Sequence, residues 1–232
     1  MLHARPNDGS VLEVIACSVE DAVEAEKGGA DRLEIIRDLD AGGYTPPLDL
    51  VREIRSSVNL PLRVMLREDV GFGLTEVITV EKLCCVAHEL NKLKVDGVVL
   101  GFLSGDRIDV EMVNKVLSCS PDLNATFHHA FEDLSDKFGA IEEIKQFAQV
   151  DRILSHGGYG SERVDNLTAY AAAAKPEISL LAGGRIDLPM IRALRHNTEL
   201  REFHVGSAAR ENGSVSAARV EELAWAVRDN YA

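Results

Sequence analysis

The chain has 232 residues, about one and a half times the usual domain length, which leaves room for two small domains or one large closed α/β architecture. Hydrophobic residues at 46% and charged residues at 27% are the balance of a folded globular chain and exclude an intrinsically disordered one. With 25 basic against 38 acidic side chains the net charge is −13, so phosphate backbones and anionic headgroups are repelled and neither nucleic acid nor membrane is an expected partner. A local positive pocket for a small anion stays compatible with that charge.

Short apolar runs alternate with amphipathic stretches along the whole length. The first strand is expected at Leu12 to Cys17, with Ser18 as N-cap of a helix stopped by Gly28-Gly29. Asp31 to Ile36 reads as strand two, and a proline-started helix follows at Leu48 to Ser57. Strand three is Leu62 to Arg67 and its helix runs from about Thr75 to Lys94. Strand four is Gly97 to Phe102, with a helix from near Asp109. Strand five is Asn124 to Ala130, then a helix from about Asp136 to Ala148. Strand six is Asp151 to Ser155 and its helix Ser161 to Ala174. Strand seven is Ile178 to Gly183 with the helix Asp187 to His196, and strand eight is Glu202 to Gly206 with Ser216 to Asp229 closing the chain.

Eight strand–helix units of about 29 residues imply right-handed crossovers and a parallel sheet, and eight close into a (β/α)₈ TIM barrel. The expectation is a single barrel domain over residues 1–232, with 1–10 as a polar N-terminal extension. An open doubly wound sheet is the alternative, but Cys17-Ser18-Val19 stands where its Gly-rich fingerprint belongs, so no nucleotide cofactor is expected. No apolar run reaches the roughly 18 residues of a membrane helix. MLHARPNDGS lacks the apolar stretch of a secretory signal, and four scattered cysteines without a C-x-x-C pair suit a reduced, cytoplasmic protein.

A barrel of this kind builds its site at the C-terminal ends of the strands. There the sequence offers Cys17, Glu34, Arg37, Arg67, His128, His129, Ser155, His156, Gly183, Gly184, Arg185, His204 and Ser207. Glu34, between Leu33 and Ile35, is expected to point into the barrel and to pair with Arg67, either as a structural ion pair or as an acid–base group beside an anion-binding arginine. His128 is expected inward, with His129 starting the loop, so that Glu34, Arg67 and His128 form the catalytic set. Gly183, Gly184 and Arg185 after strand seven, and Gly206 and Ser207 after strand eight, are where barrels grip phosphate, although tight turns also favour glycine. Cys17, with His128 and His204, is the candidate set for Cu(I). Cys84 and Cys85 read as buried small hydrophobes of the third helix.

The segments GGADRLEII, GGYTPPLDLVREIR, ATFHHAFE and REFHVGSAAR, in that order, resemble the CutC family of copper homeostasis proteins. The resemblance spans about Leu12 to Arg210. It implies a cytoplasmic (β/α)₈ barrel, a role in copper handling, and functional positions at Glu34, Thr45, Arg67, His128, His204 and Ser207. The chain departs from the family pattern at Arg67-Glu68-Asp69-Val70-Gly71-Phe72, at His129 and at Ile36.

Three functions are therefore expected to compete. One is copper binding in the cytosol. Another is a lyase or isomerase acting on a small anionic or phosphorylated substrate, with Glu34 and His128 moving protons and Arg67 holding the anion. The third is a non-catalytic oligomeric binding protein, a homodimer meeting through the apolar helix 75–94.

Overall fold

The computed structural model describes residues 9–73 and 77–229. Eight parallel strands close on themselves: β1 (Val11–Ala16), β2 (Arg32–Ile35), β3 (Leu62–Met65), β4 (Gly97–Leu100), β5 (Asn124–Phe127), β6 (Val150–Ser155), β7 (Ser179–Ala182) and β8 (Glu202–Val205), with β8 pairing back onto β1. The expected (β/α)₈ barrel is what the chain forms. Helices α1 (Val19–Lys27), α2 (Leu48–Ser57), α3 (Val77–Lys92), α4 (Val110–Ser118), α5 (Lys137–Ile144), α6 (Arg163–Ala174), α7 (Leu188–Asn197) and α8 (Ala217–Arg228) form the outer ring. Among the described residues no helix is long and apolar enough to cross a membrane.

Local chemistry sets these boundaries. Ser18, Asp109, Asp136 and Asp187 each accept the amide three residues on, capping α1, α4, α5 and α7. Outward residues such as Leu12, Val14, Leu33, Ile35, Ala125 and Phe127 join the helices in the main core. A small separate apolar layer, Ile15, Ile36, Met65 and Val99, fills the upper barrel.

Several elements differ from the sequence expectation. The start of α3 expected at Thr75 lies outside the described residues, as does most of the 1–10 extension. Strand five ends at Phe127, not Ala130, because His128 folds its Nδ1 back to accept the Ala130 amide and starts a 3₁₀ turn. Two hairpins above the barrel were not expected, Leu103–Ser104 with Arg107–Ile108 and Arg210–Glu211 with Ser214–Val215. The second turns on Asn212-Gly213, both at positive φ, the pair a tight hairpin prefers.

The barrel floor carries charge. Arg63 makes a two-pronged bond to Asp151 at 2.9 and 2.7 Å, and Arg152 bonds both Asp151 at 2.6 Å and Glu202 at 2.6 Å. Arg32 joins Glu202, at 3.0 Å, to Glu13. Barrel interiors are usually layers of branched apolar side chains. Here Glu13, Arg32, Arg63 and Glu202 are at most 8% exposed, and their stability depends on mutual pairing.

Candidate functional site

A cavity of about 620 Å³ opens at the C-terminal ends of the strands, within the size range of small-molecule sites. Glu34 and His204 stand on its floor beside Ile15 and Met65. His129, His156 and Tyr159 line its walls, and Gly184, Arg185, Gly206 and Ser207 form one arc of its rim.

The floor is built from two adjacent strands and their neighbour. Glu13, Glu34 and His204 occupy inward positions of β1, β2 and β8, and β1 pairs with both of the others. His204 Nδ1 donates to Glu13 Oε1 at 2.7 Å, which leaves Nε2 toward Glu34 Oε2 at 3.7 Å. The second distance is too long for a hydrogen bond, so both groups keep capacity for a ligand. Burial pushes the Glu34 carboxyl up to about 7, and the Glu13 charge adds to the rise. Burial alone would lower His204, but Glu34 and the Glu13 hydrogen bond outweigh it and raise the imidazole above its ordinary range. Burial would likewise raise Glu13, yet Arg32 and His204 hold it far below the usual carboxylate range.

The other expected residues are placed differently. Arg67 does not pair with Glu34. Its guanidinium donates to the carbonyls of Gly43 at 3.1 Å and Val70 at 2.6 Å, and it lies over the rings of Tyr44 and Phe72. It clamps two loops because those carbonyls, not a carboxylate, fall within its reach. Thr45 serves the same clamp: its hydroxyl accepts from the Arg67 amide and donates to the Arg67 carbonyl. His128 is wholly buried, its ring 5.2 Å from Phe72 and stacked on His129, and it does not line the cavity. Burial holds it well below the ordinary histidine range, with the His129 and Arg67 charges adding to the effect. His129 does begin the loop, and it is His129 whose ring meets the cavity, with burial and Arg67 pushing it down to about 4. Gly183 is also displaced from its expected role: its amide donates to Ser155 and its carbonyl accepts from Arg163, so neither faces a phosphate.

The expected thiol–imidazole metal set does not come together. Cys17 accepts a long contact from Arg210 at 3.7 Å, burial raises its thiol, and His128 is turned inward on its own loop. Among the described residues the metal-competent group that converges is Glu13, Glu34 and His204, with ligand atoms within 4.8 Å of one another. Two carboxylates and an imidazole suit a harder divalent ion, so this donor set does not fit Cu(I).

Glu13 was missed by sequence reading, though it alternates with Leu12 and Val14 as Glu34 does with its neighbours. Glu132 was missed too. It accepts from Ser155 Oγ at 2.7 Å and the His156 amide at 2.6 Å, tying β6 to the loop after β5.

The CutC family profile matches residues 10–209, which is most of the barrel. The chain belongs to the CutC family. A CutC family protein of Xanthomonas campestris is 32% identical over 199 residues, covering 84% of this chain and 82% of that one. The human copper homeostasis protein cutC homolog is 30% identical over 210 residues, covering 89% and 77%. The crystal structure of CutC from Streptococcus agalactiae superposes with a TM-score of 0.78 at 24% identity, covering 85% of this chain and 98% of that one. Its likeness is one of fold, so the CutC barrel and the ends of its strands are shared.

Proposed function

We propose that this CutC barrel is an acid–base enzyme of the lyase or isomerase type acting on a small phosphorylated, carbohydrate-like substrate. The observation that carries the reading is the Glu13–His204–Glu34 arrangement on the cavity floor. Glu13 fixes His204 so that Nε2–H faces the cavity, where it can hydrogen-bond a substrate oxygen and give up its proton as that oxygen gains charge. Glu34, titrating near 7, is a base at neutral pH for a proton on the adjacent carbon. The carbon's proton passes to the Glu34 carboxylate while His204 Nε2–H protonates the carbonyl oxygen; return of the proton from Glu34 to the neighbouring carbon, with the second oxygen's hydroxyl proton going back to His204 Nε2, completes an isomerisation.

The rim supports an anionic end on one side. Arg185 and the turns Gly184 and Gly206-Ser207 line the mouth together with Asp40 and Asp133. A phosphate is repelled by those carboxylates and accepted only beside Arg185. Free thiols suit a cytoplasmic location.

Copper handling is the second reading, supported by the name of the human relative. The mouth does not supply its donors.

The test is solvent exchange. The protein is incubated in deuterium oxide with a panel of aldose and ketose phosphates, and carbon-bound deuterium is read by NMR. Exchange into a panel member, reduced by at least about 100-fold in Glu34→Gln and in His204→Gln, is the expected result. Exchange that persists in both variants, or appears with no panel member, overturns the reading.

A further inference from the structure

The wall of the cavity carries a second imidazole–carboxylate pair that the acid–base reading leaves unused. His156 follows β6, and Glu132 lies in the 3₁₀ turn after β5. In the closed ring of eight strands β6 is four places from β2 in either direction, so its end lies opposite that of the Glu34 strand. Both side chains line the same cavity as Glu34 and His204.

This pair is held by almost all of its polar atoms. The His156 amide donates to Glu132 Oε1 at 2.6 Å, and the His156 carbonyl accepts from Arg163 Nε at 2.9 Å. Nδ1 accepts from the Gly158 amide at 2.9 Å, which places the ring proton on Nε2. The ring stacks on Tyr159 with centroids 4.2 Å apart. Gly184 makes room for it, since a Cβ there would stand 2.4 Å from His156 Cβ. Glu132 Oε1 also accepts from Ser155 Oγ at 2.7 Å. Among the described residues, His156 Nε2–H and Glu132 Oε2 are left without a hydrogen-bond partner, and at 3.8 Å they are too far apart to bond each other.

A donor and an acceptor at that spacing admit a narrow chemistry. A group between them must accept from Nε2–H and donate to Oε2. A hydroxyl does both. A carbonyl oxygen has no proton to give, an ammonium has no lone pair, and an anion is repelled by the Glu132 carboxylate.

We propose that His156 and Glu132 form a hydroxyl-recognition site, which selects a ligand by one neutral hydroxyl on a carbon other than the reacting ones. The inference rests on the acid–base reading for the kind of ligand, a phosphorylated sugar, and not for any proton transfer. Arg185 follows β7, between the β6 wall and the β8 strand of His204. Phosphate beside Arg185, the hydroxyl at the wall and the reacting carbon at the floor make three points of attachment. Three points fix handedness, so the site also rejects the epimer at the wall hydroxyl.

The experiment is equilibrium binding, followed by NMR titration, of ribose 5-phosphate and glucose 6-phosphate and of their monodeoxy analogues. In wild type at least one parent sugar is expected to bind, and one of its deoxy analogues about 10-fold more weakly. In Glu132→Gln, whose amide oxygen can still accept from Ser155 and His156, that ratio should fall toward unity. His156→Phe, which keeps a ring to stack on Tyr159, should lower it likewise. A merely structural role for the pair would weaken parent and analogue alike and leave their ratio as in wild type, which overturns the proposal. So does a wild type that binds no member of the panel, or that binds every deoxy analogue as tightly as its parent. Discrimination without any deuterium exchange leaves the wall site standing and sinks the acid–base reading, and exchange without discrimination does the reverse.

Discussion

His204 and Glu13 are joined by a 2.7 Å bond between Nδ1 and Oε1, and Glu13 is in turn bonded to Arg32. This pairing holds the imidazole in one orientation and favours its charged form. Glu13→Gln keeps an oxygen for Nδ1–H but removes the charge. The pKa of His204, followed by NMR titration of its ring protons, should fall. Arg32 also loses a buried partner, and chemical denaturation should show a loss of about 3 kcal/mol. An unchanged His204 titration would refute the role given to Glu13.

Stability should peak in mildly acidic solution. Glu34 is raised by burial from 4.5 to about 7, so its protonated form favours the fold. That contribution is complete below pH 4.5 and is lost as pH rises toward 7. His204, also raised, contributes fully below its unfolded value of 6.5 and loses the contribution as pH climbs through its higher folded value. Glu13 acts oppositely: its depressed pKa stabilises the fold above pH 4.5, and the gain disappears as pH falls below it. The Glu34 interval alone corresponds to something on the order of 3 kcal/mol. Thermal melts should therefore decline between pH 5 and 7.5 in wild type, roughly, and decline less in Glu34→Gln. Parallel curves would show that Glu34 titrates normally.

Replacing the Arg67 clamp should loosen loops without touching the proton-moving pair. Lysine cannot fork between the Gly43 and Val70 carbonyls or stack flat on Tyr44 and Phe72. For Arg67→Lys we expect a loss of about 2 kcal/mol and faster amide hydrogen exchange at residues 41–45 and 68–72. His204 should titrate as in wild type. A shifted His204 together with unchanged exchange would show that Arg67 acts on the site directly.

Gly183 keeps space for the floor. A Cβ at this position would stand 2.5 Å from Leu154 Cδ1 and 3.4 Å from His204 Cδ2. Gly183→Ala should cost about 1–3 kcal/mol through overpacking and displace the His204 ring signals in NMR spectra. Gly213→Ala, at an open hairpin turn with φ of 88°, should leave those signals in place.

The strand–helix alternation was legible because its punctuation is local: caps such as Ser18, Asp109 and Asp187, and parallel strands with few turn residues inside them. Glu34 as an inward carboxylate was legible from period-two alternation, and the same pattern at Glu13 carried the same information. Partner choice was not legible. Arg67 follows the strand next to that of Glu34, yet its guanidinium turns to the loop carbonyls of residues 43 and 70. The roles of His128 and His129 exchanged because one backbone amide, that of Ala130, found an imidazole nitrogen and ended the strand early. The exposure of Cys85, expected as buried filler, and the approach of Cys84 and Cys119 to one carbonyl, that of Lys115, depend on how two helices pack, which no spacing between positions 84 and 119 encodes.

The bonded series from Arg63 through Asp151, Arg152, Glu202, Arg32 and Glu13 to His204 runs from the N-terminal end of the barrel to the cavity at its C-terminal end. Acid strength at the mouth is therefore adjustable from behind. A substitution such as Asp151→Asn touches no residue lining the cavity of Glu34 and His204, yet it redistributes the hydrogen bonds of Arg152 and so the hold of Glu202 and Arg32 on Glu13. Relatives within one family can retune proton affinity for a new substrate or a new compartment through this back layer while every side chain facing the cavity stays the same.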